Sequence, residues 1–185
     1  AQWRYIGRTL PPAVIGVALG WALMRWAQEQ QIPGARFNPV IGMIVLLLAL
    51  LQLLRHWKPA LLTDVPHTRG FAVTMGLLAG VTTMLANAAG PVIALYLLAV
   101  ALPKQAFVGT GAWFFLLINL IKVPFSLQLG LITLPSLAFN GVLIPAIVAG
   151  LFLGRWIVGR LPQKGFDILI LIFALAVSAR LLLGG

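Results

Sequence analysis

Cysteine is absent from this sequence, and acidic residues nearly are. Without thiols there are no disulfides and no thiolate metal site, and the redox state of the compartment leaves no trace. The carboxylates are Glu29, Asp64 and Asp167, none beside another, so no paired general acid and base stands out. His56 and His67 flank a linker without metal-ligand spacing and read as solvated or interfacial. There is no HExxH, and no Ser or Cys beside a His. Nothing calls for a metal or a cofactor, and the chain does not read as an enzyme.

What remains is apolar and basic. Hydrophobic residues make up 61% of the 185 residues and charged ones 9%, with a mean hydropathy of +1.04. Thirteen Lys and Arg give a net charge of +10. In a soluble protein such an excess would suggest nucleic acid. Here the basic residues lie between apolar runs, the juxtamembrane pattern, so the partner is a lipid bilayer. The reading is one integral membrane domain over residues 1–185. No signal peptide is visible and the first residue is Ala1, which reads as a fragment or a processed product.

The expected fold is an all-α polytopic membrane helix bundle of about six segments, each near the ~20 residues a bilayer requires. Spans are expected at Thr9 to Ala27, Asn38 to Leu54, Gly70 to Leu102, Phe107 to Leu129, Leu134 to Val158 and Phe166 to Leu183. Gly16/Gly20 and Gly150/Gly154 are pairs suited to close helix packing. Trp3, Trp26, Trp57 and Trp156 sit where interfacial aromatic belts belong. Arg180, near the end of the last span, reads as snorkelling.

The third span organises the rest. Gly76, Gly80, Thr83 and Asn87 recur at steps of four, three and four, one helical face of small and polar groups. Ala88-Ala-Gly-Pro91 then interrupts the pattern. Gly90 permits a strained backbone, and Pro91 suits the first turn of a new helix. Two half-helices meeting at Asn87–Pro91 are expected, and broken helices of this kind are the usual binding sites of transporters. The bland alternative is a loop between two short helices near the surface.

The fourth span carries a cation. Gly111, Phe115, Asn119, Lys122 and Ser126 share one face, and Pro124 should kink the helix. A lysine in hydrocarbon costs about 2.5–3.5 kcal/mol on insertion scales and normally meets a cavity or a partner. No carboxylate lies within a span to pair with it. A helix N-terminus at Gly90-Pro91 would add about half a positive charge and unpaired N–H groups. Thr83, Asn87, Gly90, Asn119 and Lys122 are therefore the candidate anion-binding residues, with Thr82 as a further hydrogen-bonding group. The competing reading of Lys122 is snorkelling toward the helix end.

A weak internal repeat is present. Pro11, Gly16 and Gly20 match Pro145, Gly150 and Gly154 at one offset, and Phe37-Asn38 with its helix matches Phe166-Asp167 with its own. Residues 1–58 then read as the remainder of a first repeat and 69–185 as a second, inverted one. About two membrane segments are expected ahead of Ala1 on that pattern.

Gly80-x9-Gly90-Pro91, Tyr96-Leu-Leu, Pro103-Lys104, Phe107-Val-Gly-Thr110 and Asn119-x2-Lys122-x-Pro124 resemble the second half of the TauE/SafE sulfite-exporter family. The likeness runs through essentially the whole chain. It departs in having Ala89-Gly90-Pro91 where the family often has Gly-Gly-Pro, and in lacking the first Gly-rich segment. What the resemblance implies is an anion transporter of the bacterial cytoplasmic membrane, moving sulfite, organosulfonates or related sulfur and carboxylate anions. A passive anion channel and a non-transporting scaffold subunit stay open as alternatives, as does a homo-oligomer.

The charges bear on topology. A single crossing by Gly70 to Leu102 leaves six cations on each side, whereas a re-entrant hairpin gives nine against three. The hairpin also inverts the last two helices relative to the first two, so it is the favoured arrangement, with the Arg4 side cytoplasmic.

Overall fold

A computed structural model describes residues 1–32, 37–57 and 68–183. They form seven helices, α1 (Trp3–Glu29), α2 (Asn38–Trp57), α3 (Arg69–Ala86), α4 (Ala89–Ala99), α5 (Lys104–Gln128), α6 (Leu134–Arg160) and α7 (Gln163–Leu182). Helices α1, α3, α5, α6 and α7 are long and apolar enough to cross a membrane. The expected third span is α3 plus α4, so the all-α membrane bundle with one broken segment is what the chain forms. The linker positions Lys58 to His67, and Arg36, lie outside the described residues.

The break falls within Asn87–Pro91, where two half-helices were expected to meet. Asn87, not Gly90, is the left-handed residue, at φ 53° and ψ 33°. Asn tolerates that region because its short polar side chain can satisfy the backbone locally. The Asn87 N–H still donates to the Thr83 carbonyl at 3.1 Å, so α3 is completed before the chain turns. Gly90 falls inside the first turn of α4, and no unusual φ is required of it. Pro91 is the third residue of that helix, where a missing N–H breaks no helical bond. Pro124 likewise sits within a continuous α5.

Contacts between helices set their directions. Gln2 N–H donates to Thr110 Oγ1 at 2.8 Å, and Gln28 Nε2 to the Leu129 carbonyl at 3.3 Å, so α1 and α5 run side by side in the same sense. A methyl group on Gly76 would overlap the Thr9 carbonyl, and one on Gly80 that of Ala13. Gly20 in turn meets Met84. Therefore α3 is parallel to α1 as well. After α3 the chain turns back as α4, carrying Tyr96 to ring-centroid distances of 5.6 Å from Phe71 and 6.3 Å from Tyr5. Gly70 to Leu102 thus enters and returns as a hairpin.

Helix α4 is apolar on all sides, as a helix buried on all sides should be. Val92, Ile93, Leu95, Tyr96, Leu97 and Leu98 are all buried, amid α3, α5, α2 and α7. Helices α2 and α7 pack antiparallel, with Gly42 against Ser178 and Leu181. Helix α6 buries none of its residues among the described ones. Its C-terminal end is tied to the start of α5, so it runs opposite to α1. The Gly16/Gly20 pair packs on α3, while Gly150 and Gly154 face open space.

Candidate functional site

The break in α3–α4 and the C-terminal third of α5 come together through Lys122. Because α3 and α5 are parallel and start at the same end, position 122 arrives level with the last turn of α3. Lys122 Nζ donates to Asn87 Oδ1 at 2.8 Å, and lies 3.4 Å from the Thr83 carbonyl and 3.5 Å from Thr83 Oγ1. The side chain therefore reaches across to the break instead of snorkelling along its own helix.

Thr83 is buried beneath the ammonium and Asn87 is exposed beside it, so the group has a floor and an open side. Its positive charge has no carboxylate partner among the described residues. Glu29 pairs with Arg25 at 3.4 Å, and Asp167 accepts from Gln163 at 2.7 Å.

The start of α4 adds to this. Its N-cap, Ala88, offers no side-chain hydrogen bond, and no acid stands in the first turn. The first N–H groups of a helix have no partner within it and carry the positive end of the dipole. Ala89 and Gly90 hold two of them, and a Cβ on Gly90 would meet nothing within 4 Å. Asn119 is exposed one turn before Lys122 on α5.

Not every expected group takes part. Thr82 turns its hydroxyl back to the Leu78 carbonyl at 2.8 Å, so it serves its own helix and not the break. Arg180 is exposed in the last turn of α7, where a cation suits the negative end of the dipole. A cation outside the expected set does structural work. Lys104 Nζ donates to the carbonyls of Val158, at 3.0 Å, and of Leu161, capping the open end of α6. Its own N–H donates to Gln163 Oε1 at 2.8 Å. The motif Pro103-Lys104 and the spacing Gln163-x3-Asp167 were the available signals, but the role depends on where α6 ends.

A multi-pass helical bundle with an interrupted helix and a half-buried lysine at the interruption is the build of a membrane transport protein. The family profile described as Sulfite exporter TauE/SafE matches residues 1–181. The chain belongs to that family of membrane anion exporters. No curated protein and no solved structure matches it.

Proposed function

We propose that this chain moves sulfite or a related small sulfonate or carboxylate anion across a bacterial cytoplasmic membrane, binding it at the α3–α4 break. The observation that carries this reading is Lys122, whose ammonium is held by Asn87 and Thr83 and has no carboxylate counter-charge among the described residues. An incoming oxyanion would meet that ammonium and the N–H groups at the start of α4. Gly90 leaves room for such an approach. Three oxygen acceptors already orient the ammonium, so little ordering is left to do on binding.

Lys122→Ala in the complete protein tests the reading. Export of sulfite, followed in loaded vesicles, is expected to fall by about ten- to a hundredfold, the range for losing a charged hydrogen bond. Lys122→Arg should restore only part of it, because a planar guanidinium does not replace a compact ammonium. Undiminished export by Lys122→Ala would remove the site from the pathway and favour a scaffold role. Flux that needs no coupled ion and never saturates would replace the exporter by a channel.

A further inference from the structure

A second cationic place lies at the Arg4 end of the bundle, apart from the Lys122 group. The parallel packing of α1 on α3 brings Arg8 and Arg69 to one cleft of about 410 Å³, lined also by Gly7, Pro11, Pro12 and Val73. Neither guanidinium has a hydrogen-bond or carboxylate partner among the described residues. Arg69 also stands at an unfavourable end of its helix, as the first residue of α3 with no acid in the first turn. Cations repel the positive end of a helix dipole.

We propose that this cleft holds the phosphate of an anionic phospholipid from the leaflet at the Arg4 side. One tetrahedral oxyanion removes both faults at once, by neutralising the pair and by facing the N-terminus of α3. Arginine forks suit phosphate oxygens with two parallel N–H donors. The remaining lining is apolar, and Val73 is 48% exposed, which suits the glycerol and the first carbons of an acyl chain better than water. The location agrees, because this end also carries Arg4, Lys104, Arg155, Arg160 and Lys164, and basic pockets between membrane helices on the cytoplasmic side take lipid head groups. A free inorganic phosphate has the same chemistry at the guanidinium groups but no use for the apolar wall.

The test compares the purified protein with Arg8→Gln/Arg69→Gln, with Arg8→Lys/Arg69→Lys, and with Arg180→Gln at the opposite end of the bundle. Binding of phosphatidylglycerol is read by native mass spectrometry, and by thermal stabilisation in mixed micelles relative to phosphatidylcholine. The expected result is a loss of about fivefold in phosphatidylglycerol affinity per arginine removed, with a smaller loss for the lysine pair and none for Arg180→Gln. The melting temperature in phosphatidylcholine alone reports whether the double variant still folds, so a folding defect is not read as lost binding. Phosphatidylglycerol binding unchanged in the folded glutamine pair overturns the site. Inorganic phosphate that competes fully, and stabilises as well, overturns the lipid as its occupant.

Discussion

Lys122 Nζ lies 2.8 Å from Asn87 Oδ1, joining the C-terminal third of α5 to the one left-handed residue of the α3–α4 break. Asn87 thus holds two roles, a backbone role in ending α3 and a side-chain role in placing the ammonium. The two can be separated. Glycine adopts φ 53° without penalty, so Asn87→Gly should leave thermal stability nearly unchanged. Alanine at that φ costs about 1–2 kcal/mol, so Asn87→Ala should melt earlier by that amount. Both remove the amide oxygen, and both should lose export by roughly tenfold or more. Wild-type export by the glycine variant would show that the amide is not needed.

At Gly80 α1 comes close against α3, with the Ala13 carbonyl where a side chain would begin. That obstacle is backbone and cannot swing aside. Gly80→Ala should therefore destabilise by about 1–3 kcal/mol, the range for overpacking. At Gly111 the added methyl would meet Phe115 and Leu97 at 3.8 and 3.9 Å, ordinary contact. There the better helix propensity of alanine should leave stability equal or improved. Equal melting temperatures for the two variants would contradict the close packing of α1 on α3.

Much of this was legible in the sequence, for a physical reason. Bilayer thickness sets helix length, so hydropathy alone locates the spans. Glycine spacing gave the face by which α1 meets α3. The steps from Gly76 to Asn87 put Thr83 and Asn87 on one side, where Lys122 finds them. Gly90 permits a strained backbone, but permission is not need, and the left-handed residue of the break is Asn87. Thr82 and Thr83 are neighbours in sequence, but a helix turns them about 100° apart. The Arg8–Arg69 cleft and the Lys104 cap were beyond reach. Each joins segments far apart in the chain, and only the packed helix directions bring them together.

Ala101 closes α4 with φ 54°, an uncommon conformation for a residue with a Cβ. The turn it makes delivers Leu102 and Pro103 to the start of α5. Ala101→Gly should relieve about 1 kcal/mol, less the entropy that glycine adds to the unfolded chain. A small rise in melting temperature, or none, is the expected outcome in detergent. A fall of several degrees would mean that the residue is not held in the left-handed region.

The hairpin formed by α3 and α4 has a consequence that can be read from outside the membrane. Helices α3 and α5 both run parallel to α1, so both must begin on the side where α1 begins. Tyr96 beside Phe71 shows how α4 achieves this, by returning along α3 instead of continuing through. The same arrangement gathers Arg4, Arg8, Arg69, Lys104, Arg155, Arg160 and Lys164 at one end and leaves Arg25 and Arg180 at the other. By the positive-inside rule the crowded end is expected to face the cytoplasm. Absence of native cysteine in the chain makes labelling clean. Thr68→Cys and Gln105→Cys, both at exposed positions flanking the hairpin, should react with an impermeant maleimide only from the cytoplasmic face. Gln30→Cys, exposed after α1, should react only from the opposite face. Labelling of positions 68 and 105 from different sides would turn the hairpin into a single crossing and part Lys122 from the break, since α5 would then run the other way.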